Sequence, residues 1–176
     1  VFSVAAVATG TTPPALGARI AIPFIANQGQ YAKTVAFSAP AFGGAVFVST
    51  DGRLMYALPQ GGDQSPLHTL TLSEELLSGK PALVKGEGLS ATRVHYFLGN
   101  EPTQWRHNTP TYHQVSLGEV YDGVTVQLKA YDRTVEKLFL VQPGARLEQI
   151  RLRVRGGQAL RVNTEGALEV EIAHGN

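Results

Sequence analysis

Hydrophobic and polar residues alternate along most of this chain, as they do in strands buried on one face. Residues 150–155 alternate without interruption and place Arg151, Arg153 and Arg155 on one face. Similar runs, rich in β-branched and aromatic residues and bounded by Gly, Pro, Asn or Asp, recur about every ten residues. They cover residues 35–37, 46–56, 67–72, 93–98, 112–117, 124–131, 135–141, 160–162 and 168–172. This spacing predicts an all-β fold, an antiparallel two-sheet β-sandwich of the immunoglobulin-like or jelly-roll type.

One short segment, residues 73–78, has the features of a helix. Ser73 is a suitable N-cap, Gly79 a suitable C-terminal residue, and Pro81 prevents extension. No stretch is amphipathic over the dozen or so residues that a crossover helix requires, which argues against a parallel α/β fold. We therefore expect at most one short helix.

The N-terminal residues differ from the rest of the chain. Residues 1–8 are apolar except for Ser3, and a Thr- and Pro-rich run follows. We divide the chain into an apolar segment with a Pro/Thr-rich linker, residues 1–18, and one β-sandwich domain, residues 19–176. The apolar segment is too short to span a bilayer. Three interpretations remain: an edge strand, a strand donated to a neighbouring subunit, or the remnant of a secretory signal. Because strand-like alternation continues almost to residue 176, we expect a piece of a longer chain.

Composition removes several classes of function. The chain has 176 residues and no cysteine, which excludes disulfides, thiolate metal sites and cysteine catalysis. A net charge of +1 provides no basic field for nucleic acid. Only 16% of the residues are charged, against about 25% in an ordinary soluble domain. This deficit is consistent with a surface partly covered by neighbouring domains or subunits.

The sequence offers no catalytic or metal-binding motif. His107 and His113 are close enough in sequence to share a metal ion, but no spacing indicates a third ligand, and we interpret the histidines as scattered over the surface. We interpret the carboxylates as ordinary solvated side chains rather than catalytic pairs, including Glu101 with Glu119 and Asp122 with Glu136. We expect no catalytic residue, no metal and no cofactor.

Large aromatic side chains are concentrated between Tyr96 and Tyr121. In one interpretation Gly99 and Asn100 form a turn, Pro102 stiffens it, and Trp105 folds back onto the core with its indole N–H bonded to a partner. In the other, the aromatic rings form a platform on which sugars stack. We favour the plugged corner.

Seven short motifs occur in an order that resembles a known family. They are Asn27-Gln28-Gly29-Gln30, residues 35–37, the run from Tyr96 to Trp105, residues 110–112, residues 120–124, residues 136–145, and Gly166-x-Leu168. Over residues 20–172 the chain resembles the N-terminal domain that precedes SBBP-type β-propeller repeats in large exported bacterial and archaeal proteins. The resemblance implies an extracellular β-rich module with no catalytic residues. The motif residues would then be structural: Asn27, Gly29, Gln30, Gly99, Asn100, Pro102, Trp105, Tyr112, Tyr121, Gly123, Pro143 and Gly144.

These observations lead to one expected function and one alternative. We expect a non-enzymatic structural or interaction module of a secreted or cell-surface assembly. Its partners would be other domains of its precursor or neighbouring subunits, with no nucleic acid and no transmembrane span. The alternative is a module that binds a polysaccharide or a protein through the aromatic region from Tyr96 to Tyr121 or through the row formed by Arg151, Arg153 and Arg155.

Overall fold

A computed structural model describes residues 4–8, 20–60, 68–132, 134–164 and 168–172. These residues contain fourteen strands, two single 3₁₀ turns and no α-helix. The strands are β1 (Val4–Ala8), β2 (Ala21–Ile22), β3 (Phe24–Ala26), β4 (Val35–Ala41), β5 (Gly44–Ser49), β6 (Leu54–Gln60), β7 (His68–Leu77), β8 (Lys85–Tyr96), β9 (Arg106–Tyr121), β10 (Val124–Tyr131), β11 (Thr134–Val141), β12 (Arg151–Arg155), β13 (Ala159–Val162) and β14 (Leu168–Glu171). The 3₁₀ turns are Pro102–Gln104 and Leu147–Gln149.

Twelve of these strands belong to one hydrogen-bonded sheet. Its order is β1-β11-β10-β9-β3-β4-β5-β6-β7-β12, with β2 also paired to β10 and β8 to β9. β13 and β14 form a separate two-stranded sheet. Every described pair is antiparallel except β1 with β11, which is parallel.

The large sheet folds over so that its two halves face each other. Lys137 on β11 contacts Glu74 on β7, although six strands separate β11 from β7 in the sheet order. The Tyr121 hydroxyl, on β9, donates to the Leu77 carbonyl at the end of β7 at 2.8 Å. The predicted all-β sandwich is therefore confirmed, and both layers come from one continuous sheet.

A single apolar core fills the space between the layers, and strict alternation builds it. Along β10 every second residue is buried, so that Val124, Val126, Leu128 and Ala130 are each at most 1% exposed while the residues between them are only partly buried. Burial of each larger aliphatic side chain is worth about 1.5–3 kcal/mol. Because successive side chains of a strand point to opposite faces, a sequence period of two places all of these apolar residues on the face of the sheet that packs in the core.

The predicted helix over residues 73–78 is wrong. Residues 73–77 belong to β7, which pairs with β6 on one side and with β12 on the other. Leu72 and Glu74 face the core at a spacing of two, whereas Ser73 between them is only partly buried. Hydrogen bonds to two neighbouring strands outweigh the weak preference that caps confer on a single helical turn. Ser78, with φ of 57°, lies immediately after the strand.

The apolar N-terminal segment contributes an edge strand to this sheet. The backbone of β1 runs parallel to β11, in a register that pairs Val4 with Lys137 and Ala8 with Val141. This placement is the first of the three interpretations of the segment. The Pro/Thr-rich linker and the predicted turn at Gly166 lie outside the described residues.

β8 and β9 form the hairpin that carries the candidate site. The two strands are the longest in the described chain, and their register shifts twice along their length. Residues 97–105 connect them and contain the motif Gly99-Asn100 and the Pro102–Gln104 turn. The aromatic residues predicted to form a corner therefore lie at the end of this hairpin.

Candidate functional site

Four rings from the end of the β8–β9 hairpin meet in what we term the aromatic corner: His95, Phe97, Trp105 and His107. Phe97 meets Trp105 edge-on with ring centroids 5.3 Å apart, and it meets His107 edge-on at 5.5 Å. The rings of His95 and Phe97 are nearly parallel, with centroids 6.4 Å apart. Edge-to-face arrangements at these separations are favourable aromatic contacts. The corner is thus a contiguous cluster.

The aromatic corner is exposed to solvent. Phe97 is 63% exposed and its neighbour Leu98 is 40% exposed. His95 and His107 are also exposed, and Trp105 is half-buried. Trp105 is not among the residues of the apolar core or those packed against it. The prediction that Trp105 plugs the core is therefore wrong, because its ring packs against Phe97 and His107 at the surface.

The local sequence explains why Trp105 lies where it does. Gly99 adopts φ of +62°, a conformation that side chains rarely take, and so reverses the chain after β8. Pro102 begins the 3₁₀ turn, after which the Trp105 amide donates to the Pro102 carbonyl at 3.1 Å. The indole N–H of Trp105 donates to the Gly99 carbonyl at 3.2 Å. This bond holds the indole across its own loop.

Side-chain hydrogen bonds also order a second loop, the one between β3 and β4. The Asn27 side-chain amide donates to the carbonyls of Ala32 and Val35 at 2.9 and 2.8 Å, and its oxygen accepts from the amide of Gly29 at 3.0 Å. Gln30 donates to the Ala26 carbonyl at 2.6 Å. These bonds organise the loop between β3 and β4.

The guanidinium of Arg106, next to Trp105, joins this loop to the corner. Its Nε donates to the Gln28 carbonyl at 2.9 Å, and its Nη1 donates to the carbonyl of Thr103 at 3.1 Å. Gly29 lies against the same guanidinium, because a Cβ at this position would be 3.2 Å from Nε. Arg106 therefore connects the motif residues of the two loops into one hydrogen-bonded unit next to Trp105.

The other aromatic residues of the predicted region do not join the exposed cluster. Tyr121 is 3% exposed, and Tyr112 is half-buried with its ring edge-on to Phe37 at 5.7 Å. Tyr96 packs against Tyr31, and burial raises the pKa of Tyr96 to about 12. Only Phe97 and Trp105, of the five large aromatic residues between 96 and 121, meet in the aromatic corner.

The remaining motif residues form turns away from the corner. Gly123 has φ of +72° in the two-residue connection between β9 and β10. The turn at Pro143 and Gly144, with φ of +86° at the glycine, follows β11 and precedes the 3₁₀ turn that leads into β12. These residues shape the fold at the opposite end of β9 from the corner.

The predicted arginine row lies on β12, at the edge of the large sheet. Arg151, Arg153 and Arg155 are all exposed, in alternation with half-buried residues. Glu75 on β7 forms an ion pair with Arg153 at 2.9 Å and lies 3.9 Å from Arg155. It also pairs with Arg53 at 3.6 Å. A single carboxylate is thus shared by two arginines of the row and by Arg53, and it balances at most one of the row's three positive charges.

Arg151 also lines a polar cleft of about 540 Å³. The cleft lies beside the Leu147–Gln149 turn and is lined by Ser78, Tyr121, Arg146, Glu148, Gln149 and Arg151. Two guanidinium groups and one carboxylate give it a mixed charge.

The histidines form one pair that the sequence spacing did not indicate. Nδ1 of His95 lies 3.4 Å from Nδ1 of His107, on neighbouring strands. His113, which we considered and set aside as a metal-binding partner of His107, lies beside Gly88. Within the described ranges no three histidine or acidic side chains come together as metal ligands. The register of β8 on β9, which sequence spacing does not show, brings His95 to His107.

Lys80 lies between two of the carboxylates considered as catalytic candidates. Its Nζ is 2.5 Å from Glu119 and 2.8 Å from Asp122. The hydrogen bonds and charge of these carboxylates raise the pKa of Lys80 to about 12, and Lys80 in turn lowers the pKa of Asp122. The cluster is exposed, as expected of solvated carboxylates.

A buried polar cluster was not among the predicted site residues. Lys137 Nζ and Glu74 Oε1 are in direct contact, with the two residues 6% and 9% exposed, and the Tyr56 hydroxyl donates to Glu74 Oε2 at 2.9 Å. Burial lowers the pKa of Lys137 to about 7 and raises the pKa of Tyr56. The signal in the sequence was the alternation of Val135, Lys137 and Phe139, which places a lysine on the buried face of β11.

Together the fold and the aromatic corner define a class: an all-β sandwich that exposes an aromatic cluster at the end of its longest hairpin. The chain belongs to the DUF7948 family, a domain of unknown function, whose model matches residues 24–176. Comparisons with curated proteins and with solved structures found no match. Among the described residues, no helix has both the length and the apolar character needed to cross a membrane.

Proposed function

We propose that this chain is a non-enzymatic interaction module of an exported assembly, and that the aromatic corner docks onto a neighbouring domain or subunit. The observation that carries this proposal is the exposure of Phe97 together with its contact to Trp105. The resemblance to domains that precede SBBP-type propeller repeats supports an extracellular location and a neighbour within the same precursor.

The composition of the aromatic corner suits a protein surface. Aromatic residues and arginine are enriched at the centres of protein interfaces, where they supply most of the binding energy. Phe97, Leu98 and Trp105 provide the apolar area, and Arg106 is held beside them by the carbonyls that it binds. Because hydrogen bonds to loop carbonyls already hold the side chains of Trp105 and Arg106, these two lose less conformational entropy on docking.

The arginine row supports docking less well than the aromatic corner. Glu75 pairs with two of its three arginines, so a partner would have to compete with an existing carboxylate. The exposed charges of β12 also have a local role, because they protect an edge strand from pairing with another chain.

Trp105 makes this proposal directly testable, since it is the single tryptophan of the chain. We would titrate the chain with the remainder of its precursor, produced separately, and follow the emission of Trp105. We expect a saturable shift of the emission to shorter wavelength as water leaves the indole. Phe97→Ser should abolish the shift, whereas Leu147→Ser, which changes a side chain that is 50% exposed on a different loop, should retain it.

The same titration separates the alternatives. A saturable shift with cell-wall polysaccharide and none with the precursor would establish the carbohydrate-binding alternative in place of the docking role. Binding that survives Phe97→Ser but is lost on Arg151→Ala would assign the interaction to the arginine row. No shift with any of these probes would refute the aromatic corner as a binding surface.

A further inference from the structure

We propose that Lys137 and Glu74 are the site of an intramolecular amide cross-link, formed by condensation of the two side chains after folding. The structure brings the amine of Lys137 into direct contact with the carboxyl group of Glu74 inside the sandwich. Neither residue has a part in the aromatic corner or in its docking. The inference therefore stands apart from the proposed function.

The two residues lie inside the core, surrounded by apolar side chains. Lys137 is flanked on the buried face of β11 by Val135 and Phe139, which are 6% and 4% exposed. Glu74 follows Leu72, which is 1% exposed, on the buried face of β7. Separated charges are poorly stabilised in such surroundings, so transfer of the proton from Lys137 to Glu74 is favoured. A neutral amine and a neutral carboxylic acid are the forms that condense.

The protonation of the surrounding groups agrees with this chemistry. Burial lowers the pKa of Lys137 to about 7, so a large fraction of the amine carries a free electron pair near neutral pH. Burial raises the pKa of Tyr56, which keeps its hydroxyl protonated and able to donate. That hydroxyl lies 2.9 Å from Oε2 of Glu74, where negative charge develops during attack on the carboxyl carbon.

The step balances without any further reactant. The electron pair of Lys137 Nζ attacks Cδ of Glu74, and a bond forms between Nζ and Cδ. The bond between Cδ and Oε1 then breaks, and Oε1 leaves as water with its own proton and one proton from Nζ. Oε2 remains as the amide carbonyl oxygen and accepts the hydrogen bond from Tyr56. No group is oxidised or reduced.

Proximity lowers the activation barrier of a condensation that is slow between separate molecules in water. Groups held in reacting geometry behave as though present at about 10⁵–10⁸ M. The link would join β7 to β11, which lie in opposite halves of the folded sheet. The chain has no cysteine and so cannot form a disulfide. The amide would join the two layers of the sandwich covalently instead.

Mass spectrometry of the full chain under denaturing conditions tests the proposal. We expect the folded protein to be lighter than its sequence by one water molecule. Trypsin should release residues 54–85 joined to residues 134–146, because the linked Lys137 is no longer a cleavage site. Fragmentation should place the link between Glu74 and Lys137.

Lys80 provides a matched control. Its Nζ also contacts a glutamate, at 2.5 Å from Glu119, but this pair is exposed to water. Lys80→Met should leave the loss of water unchanged, Lys137→Met should restore the full mass, and Tyr56→Phe should slow the appearance of the lighter species after refolding. A folded wild-type chain that keeps its full sequence mass after long incubation overturns the proposal, whatever the variants do. A loss of water that persists in Lys137→Met overturns it as well.

Discussion

Replacing Trp105 by alanine tests whether the aromatic corner is a surface feature or part of the core. The side chain is half-buried, and besides a more distant ring contact with His107, at 6.4 Å between centroids, it makes two closer interactions. Its edge-on contact with Phe97 is worth about 0.5–1.5 kcal/mol, and its exposed hydrogen bond to Gly99 about 0.5–1 kcal/mol. We therefore expect Trp105→Ala to lower the free energy of unfolding by about 1–2 kcal/mol.

Phe24 provides the comparison for a core aromatic residue. It is 0% exposed on β3, which lies between β9 and β4 in the large sheet. Loss of a fully buried phenylalanine costs about 3–5 kcal/mol, because the transfer free energy is lost and a cavity remains. Phe24→Ala should therefore be more destabilising than Trp105→Ala by about 1–4 kcal/mol.

Urea denaturation followed by far-ultraviolet circular dichroism is the suitable assay, since Trp105→Ala removes the fluorescent reporter. A double-mutant cycle with Phe97→Ala should give a coupling energy of about 0.5–1.5 kcal/mol for the ring pair. If Trp105→Ala were as destabilising as Phe24→Ala, the indole would be a core residue and the aromatic corner would lose its exposed anchor.

Three further predictions concern the sandwich itself. Tyr121→Phe removes the hydroxyl that bonds to the carbonyls of β7 and β12, and should cost about 1–2 kcal/mol in urea denaturation; no loss would refute a role for this bond. Gly86→Ala would place a Cβ 2.5 Å from Cγ of Tyr112 and should cost about 1–3 kcal/mol; an unchanged unfolding midpoint would contradict this close contact. The Ser49 hydroxyl lowers the pKa of Asp51, so stability present above the unfolded-state pKa of 3.8 should be lost as pH falls through the lower folded-state value. Asp51→Asn should flatten that acid dependence, and an equally steep dependence in the variant would assign it to other groups.

The pattern along single strands was predictable from the sequence because it depends on local geometry alone. Successive side chains of a strand point to opposite faces, so the alternation of residues 150–155 already contained the exposed arginine row of β12. The glycines at 29, 99, 123 and 144 marked turns, and all four adopt positive φ. The helix predicted over residues 73–78 failed because its local signals covered a single turn, while two neighbouring strands bind the same backbone.

The candidate sites depend on which strands lie opposite one another, and this information is spread over distant parts of the chain. His95 meets His107 through the register of β8 on β9, and Lys137 meets Glu74 because the sheet folds over itself. Trp105 lies in a loop, where no pleat dictates its direction, and contacts with Phe97 and the Gly99 carbonyl hold it at the surface. The sequence by itself thus determined most of the strands, their buried faces and many of their turns. Only the tertiary structure decided which side chains meet across the sandwich and which remain exposed, because those choices follow from packing between segments that are far apart in sequence.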